Sequence, residues 1–268
     1  MYAPYFALFR IRFTHSLQYR AAALAGLFTQ FAWGFMYILA FAAFYRESPD
    51  AFPMSFEQTV AYIWMQQAFL TLFALWFWDK SISGVIESGD IAYELVRPMD
   101  LYGRWATTIA SSRIARCVMR AAPIFAVAFF LPAPFRLTIS MNLQTAAIFA
   151  LSVALSLGVA VAFSMLVYIT VIHTLNGAGV RLIAAVASDF LTGGIIPIPF
   201  FPAALRTVVE FSPFAAMQNT PLLIFNGYLT DAALARAVGL QVFWLAALVV
   251  IGRVLMARSL QRIVVQGG

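Results

Sequence analysis

The stretch AAALAGLFTQFAWGFMYILAFAAFY, residues 21–45, carries no charged side chain and is closed by Arg20 and Arg46. A helix rises about 1.5 Å per residue, so about 20 apolar residues cross the roughly 30 Å of a bilayer's hydrocarbon core. This run is long enough. It lacks the small-residue cleavage site of a secretory leader, so it reads as a span that stays. The whole chain agrees: of 268 residues, 63% are hydrophobic, 16% aromatic and 10% charged, with mean hydropathy +0.86. Soluble domains carry about 25% charged residues.

Further runs follow outward from the first. They cover Gln58–Trp78, Ile114–Leu131, Leu143–Ile172, Leu182–Phe201 and Ala235–Met256. The expected fold is therefore an all-α membrane protein of six transmembrane helices, forming one transmembrane domain over residues 1–268. The fifth run is interrupted by Asp189, Gly193, Gly194 and the prolines at 197 and 199, with Pro202 just beyond it. The segment 201–229 that follows cannot span, because Arg206, Glu210, Pro213 and Pro221 break it. It suits short re-entrant helices on the outer side, which are tolerated only where protein or a water-filled cavity covers their backbone.

Charge orients the bundle. Arg10, Arg12 and Arg20 precede the first span, while Arg253, Arg258 and Arg262 sit at or after the last. The segment Asp79–Arg120 adds Lys80, Arg97, Arg104, Arg113, Arg116 and Arg120. On the other side, the loop 46–57 sets one Arg against Glu47, Asp50 and Glu57, and the loop 132–142 brings only Arg136. The excess of Arg near membrane ends marks the cytoplasmic side. Both termini and Asp79–Arg120 are thus expected there. Residues 1–20 read as an interfacial helix, with Phe6, Phe9, Phe13 and Leu17 at helical spacing and Arg12 and His15 opposite; Arg10 falls off the pattern.

Catalytic signals are absent from this reading. The one lysine, Lys80, precedes Ser81 but follows Trp76-Phe77-Trp78-Asp79, which is no glycine-rich phosphate loop. His15 and His173 stand outside any HExxH context, and the single Cys117 excludes a disulfide framework or a cysteine zinc cluster. No metal site, enzyme active site or nucleic-acid partner is expected, since the Arg residues lie beside apolar runs.

Four features could carry function. The cytoplasmic segment 79–100 mixes Ile82, Val85, Ile86, Ile91 and Leu95 with Glu87, Asp90 and Glu94. It suggests a short helix bounded by Gly84 and Gly89, then an extended turn where Arg97 precedes Pro98. The second feature is the broken outer region, with Pro197, Pro199, Phe201, Pro202 and Pro213. The third is a stripe of small residues, Ser152, Ser156, Ala160 and Ser164, spaced for close helix packing. The fourth is Asp189, a carboxylate in a span, which either faces a pathway or caps a helix near Gly193–Gly194.

The interfacial helix, the six spans, the cytoplasmic "GDIAYELVRPMDLYG" and the outer "GGIIPIPFFP…FSPF…NTP…NGY" resemble the membrane subunits of ABC type 2 exporters. Within that class the chain is similar to small permeases encoded in pairs beside an ATPase. The resemblance implies a permease of an ATP-driven exporter in a bacterial cytoplasmic (inner) membrane, surrounded by lipid. It implies an ABC ATPase dimer as partner and a second permease, either a homodimer or a sister chain. ATP and Mg would sit on the ATPase, with no cofactor in this chain. The coupling helix would fall on about Ser81 to Ser88, including Val85, Ile86 and Glu87, with Glu94, Arg97 and Pro98 shaping the return path. The outer gate would fall on about Phe201 to Tyr228. The cargo would be an amphipathic drug-like molecule, a lipid or a glycan. The alternative is a secondary transporter or channel without an ATPase; those usually pair two broken helices, and here one span is broken.

The orientation has a direct test. Cysteines introduced near Gly268 and at Ser88 should react with a membrane-impermeant thiol reagent only after the cells are opened. Labelling in sealed cells would reverse the topology.

Overall fold

The computed structural model describes residues 3–18, 20–48, 51–139, 141–174 and 177–261. Asp50, Arg262 and Gly268, and residues 1, 2 and 19 of the expected interfacial helix, lie outside them. Among the described residues, eleven α-helices run in the order α1 Ala3–Leu17, α2 Arg20–Glu47, α3 Phe56–Phe73, α4 Lys80–Ser88, α5 Ile91–Leu95, α6 Leu101–Phe130, α7 Leu143–Ile172, α8 Gly177–Leu191, α9 Ala203–Glu210, α10 Thr220–Phe225 and α11 Asp231–Leu260. No strand occurs among the described residues.

Among the described residues, three helices are long and apolar enough to cross a membrane: α2 over Ala25–Glu47, α7 and α11. The other expected runs are helical with altered bounds. α3 begins on a capping box, in which the Ser55 hydroxyl accepts from Gln58 N and the Gln58 side chain accepts from Ser55 N. It stops at Phe73, short of the expected Trp78. α6 begins at Leu101 rather than near Ile114, so Arg104, Arg113, Arg116 and Arg120 ride on one helix of 30 residues. At about 45 Å it is longer than the roughly 30 Å of a bilayer's hydrocarbon core. α8 ends at Leu191, and the expected fifth run continues as a turn and a 3₁₀ turn at Ile198–Phe200.

The bundle is layered from inside out. α3 is the most enclosed of its long helices, with Thr59 to Ala68 buried without a break. Trp64 anchors it: its ring meets Phe31 and Phe35 of α2 edge-on, and its indole N–H donates to Phe135 O at 2.9 Å. Around it, α2, α7, α8 and α11 turn large apolar side chains outward, among them Leu39, Phe44, Leu182, Ile183, Phe243 and Val250. α1 lies along α6. A Cβ on Gly103 would come 3.0 Å from the Tyr5 ring, so glycine permits the approach. The half-buried stripe runs through Tyr5, Leu8, Phe9, Arg12, Phe13, Ser16 and Leu17, with Phe9 and Phe13 stacked at 5.9 Å, whereas Phe6 is 71% exposed and off it. Arg12, expected opposite the stripe, is half-buried.

The small-residue stripe of α7 is a packing face. Ser152, Ser156, Ala160 and Ser164 are all buried. Against them sits Gln241 of α11, fully buried, whose amide donates to Ser156 Oγ at 2.7 Å, Ala216 O at 3.1 Å and Ser152 O at 3.2 Å. Ser152 donates to Gln241 Oε1 at 2.8 Å. Ala216 belongs to a π-helical turn, Ala215–Asn219, whose wider winding frees carbonyls that α-helical bonding would occupy. Gln241 and Ser156 satisfy one of them.

Gln241→Leu keeps the volume and removes these bonds. It should cost about 1–2 kcal/mol, read as a lower unfolding temperature in detergent. An unchanged temperature would show that the node contributes nothing.

Candidate functional site

At the end of α3 the chain leaves the bundle through Leu75–Trp78 and enters α4. Asp79 is the N-cap: its carboxylate accepts from Ser81 N at 2.9 Å and Ile82 N at 3.3 Å. The N–H of Asp79 donates to the Tyr168 hydroxyl of α7 at 2.7 Å. Gly89 ends the helix with φ of +77°, a left-handed turn that glycine adopts without strain. Gly84 lies inside the helix rather than bounding it.

α4 is seated on its own bundle by Ile82, which is buried, and by Val85 and Ile86, which are half-buried against the cluster of Trp105, Met165 and Tyr168. Glu87 reaches Arg181 of α8 at 3.0 Å. Ser81, Glu87 and Ser88 face outward, and the Ser88 hydroxyl donates to Asp90 at 2.6 Å. In α5, Glu94 bridges two arginines: it binds Arg104, and Arg97 lies 3.3 Å away. Arg97 and Pro98 are exposed. Beyond the expected residues, Tyr93 is 74% and Val96 81% exposed, so the apolar part of the free surface is there rather than at Val85 and Ile86.

Above this platform lies a charge without a carboxylate. Arg113 of α6 is buried, and its guanidinium donates to Leu72 O at 3.0 Å, Ala74 O at 2.8 Å and Ser164 Oγ at 3.1 Å. Two of these acceptors are at the C-terminus of α3, where carbonyls lack helical partners and the helix dipole is negative. The guanidinium therefore caps α3, which accounts for the early end of that helix. Arg116 and Arg120 lie over the Phe77 ring at 5.1 and 5.8 Å. The spacing 113, 116, 120 is one helical face. It was readable in the sequence, but a segment taken as cytoplasmic gave no reason to look for acceptors.

The far end of α8 carries the broken region. Gly193, with φ of +81°, and Gly194 turn the chain, and their carbonyls are held by α3: the Tyr62 hydroxyl lies 3.1 Å from both Gly193 O and Asn219 Oδ1, and Gln66 donates to Gly194 O. A side chain at Gly194 would collide with Asp189 O, 2.7 Å from the position of its Cβ. Pro197 and Pro199 are buried, Pro202 is the exposed N-cap of α9, and Pro213 is half-buried. Phe201 is buried and stacks on Phe190 at 5.1 Å. The six residues of α10 are all buried. The carboxylate of Asp189 accepts from Trp76 Nε1 at 2.7 Å, and its backbone oxygen accepts from Gly194 N at 2.9 Å, which closes the end of α8. Tyr62 and Gln66 escaped the sequence reading because each sits in a run judged by apolarity.

Apolar outer helices around a polar, arginine-capped centre define a multi-pass membrane protein. More narrowly, the chain belongs to the ABC-2 family transporter proteins, whose sequence profile matches residues 31–267. Comparison with curated proteins gave no match. Membership makes the chain a permease component of an ABC transporter, which is not itself catalytic and pairs in general with an ABC ATPase.

Arg113→Lys keeps the charge but loses the planar fork that serves three acceptors at once. It should cost about 1–3 kcal/mol, measured as loss of thermal stability in detergent. Arg97→Lys, at the exposed surface, should leave that stability within about 0.5 kcal/mol.

Proposed function

We propose that this chain is one of two permeases in an ATP-driven exporter of the bacterial inner membrane. It crosses the bilayer six times through α2, α3, α6, α7, α8 and α11. The polar character of α3 and α6 supports this count, because helices enclosed by other helices need not be apolar. Both termini, α4 and α5 face the cytoplasm, α1 lies in the cytoplasmic interface, and α9 and α10 are re-entrant on the outer side. A second copy or a sister permease completes the pathway. ATP and Mg belong to the ATPase dimer, and the cargo is an amphipathic drug-like molecule, a lipid or a glycan.

One observation carries this reading: α4 is clamped to helices that run to the opposite end of the bundle. Asp79 ties it to α7 through Tyr168, and Glu87 ties it to α8 through Arg181. α8 then ends in the glycine turn held by Tyr62 and Gln66. A push on α4 from an ATPase therefore reaches the outer break through about 22 Å of helix. The docking surface consists of Ser81, Glu87 and Ser88 on α4 with Tyr93, Val96 and Arg97 beyond it, while Val85 and Ile86 brace the helix from behind. Pro197, Pro199, Phe201, Pro202 and Pro213 form the outer gate, and Asp189 fixes its hinge.

Aspartates at Val85 or Ile86 would injure the bundle itself, so the test belongs on the free surface. Tyr93→Ser with Val96→Asp should place a charge in the contact at a cost of several kcal/mol, reducing ATPase co-purification at least tenfold. The permease should still insert and keep its unfolding temperature. Full co-purification with normal transport-coupled ATP turnover would remove the docking assignment.

A further inference from the structure

Two arginines stand at the end of the bundle where the charge pattern disfavours them. Arg206 of α9 and Arg236 of α11 lie at the side opposite α4, yet cytoplasmic ends are where Arg accumulates in membrane proteins. Both line one cavity of about 270 Å³ between α9, the π-helical turn, α10 and α11. Arg206 is bonded to Glu210 at 2.8 Å. Arg236 lies 5.7 Å over the Phe211 ring and has no ion-pair partner among the described residues. The cavity therefore keeps one net positive charge, with the Tyr228 side chain beside it.

Its inner wall is of another character. Leu223, Ala233, Ala237 and Leu240 line it, and the neighbouring turn of α11 exposes Val242 and Phe243, 52% and 57% accessible, to the surroundings. Arg236 sits five residues after the start of α11 at Asp231, about 7.5 Å along the axis. With the start of α11 at the outer surface, as the proposed orientation has it, that distance falls at the roughly 5–10 Å boundary between headgroups and acyl chains. A soluble anion would gain from the arginines but nothing from the apolar wall. A ligand with a phosphate and an attached chain uses both.

We propose that this cavity is a binding site for an anionic glycerophospholipid of the outer-facing leaflet, with its phosphate at Arg236 and Arg206 and an acyl chain along Leu223, Ala237 and Leu240. The site joins α11 to the π-helical turn and α9, so an occupied cavity braces the outer region against the last span. The leaflet assignment rests on the orientation proposed above. The binding itself does not, and its test uses neither ATP nor the ATPase.

The experiment is thermal unfolding of the detergent-purified chain with short-chain phosphatidylglycerol, short-chain phosphatidylcholine or glycerol phosphate. A ligand that binds the folded state alone raises the unfolding temperature with concentration. Phosphatidylglycerol should raise it in a saturable way, while the zwitterionic lipid and the chainless headgroup should not. Arg236→Gln should abolish the shift, and Arg136→Gln, away from the cavity, should preserve it. Ala237→Trp fills the apolar wall and should also abolish it, which covers the case where Arg236→Gln lowers the starting stability. A shift that survives both cavity variants, equals that of phosphatidylcholine, or vanishes in Arg136→Gln overturns the site. A shift given equally by glycerol phosphate makes it a soluble-anion site and overturns the lipid assignment. Loss of ATPase co-purification in the α5 variant leaves these outcomes untouched, so the two proposals fail separately.

Discussion

A guanidinium buried without a carboxylate is tolerable only if something else carries negative potential, and the open end of a helix does. Arg113 and the C-terminus of α3 solve each other's problem: the carbonyls of Leu72 and Ala74 would be unpaired, and so would the charge. Several features follow from this one contact. α3 cannot continue through Trp78, so the chain leaves at that level and Asp79 is free to begin α4. α6 is locked to α3 at a fixed height, and through Ser164 to α7. The platform at one end of the bundle is thus positioned by a bond made inside it.

The interior carries polar side chains along α3 and also on α6, α7 and α11, which inverts the simplest picture of a membrane bundle. Thr59, Tyr62, Gln66, Gln67 and Thr71 recur on the buried face of α3. Helices in lipid gain no hydrophobic drive to associate, so packing of small residues and hydrogen bonds between helices carry more of the burden. The two kinds of contact divide the work here. The serine face of α7 and Gln241 fasten α11 and the π-helical turn, whereas Tyr62 and Gln66 fasten the glycine turn after α8.

This division also explains what the sequence disclosed. Residues 21–45 and 143–172 announce themselves because those helices meet lipid, and hydropathy measures the cost of meeting lipid. α7 has the bounds its apolar run suggested. α3 and α6 were misjudged at their ends because their surroundings are protein, for which apolarity is no requirement. The end of α4 was legible from Gly89, since capping is local chemistry, whereas its start was not: Gly84 lies inside the helix and Asp79 caps it. Its inner and outer faces were not, because Val85 and Val96 are equally apolar and only the fold decides that one is covered and the other bare. The proline-rich outer segment announced a break but not what holds it, since the holding groups, Tyr62 and Gln66, lie about 130 residues earlier.

The short helix α8 is a lever with a contact at each end. Arg181 grips α4 near one end, and the glycine turn lies beyond the other. Over its length of about 22 Å, a tilt of about 10° carries the far end roughly 4 Å. No hydrogen bond stretches that far, since such bonds weaken steeply outside about 2.7–3.2 Å. The bonds at Gly193 and Gly194 would have to release rather than yield. Under the coupling proposed above, a rod latched in this way would not answer a gradual push with a gradual movement: it would hold, and then let go.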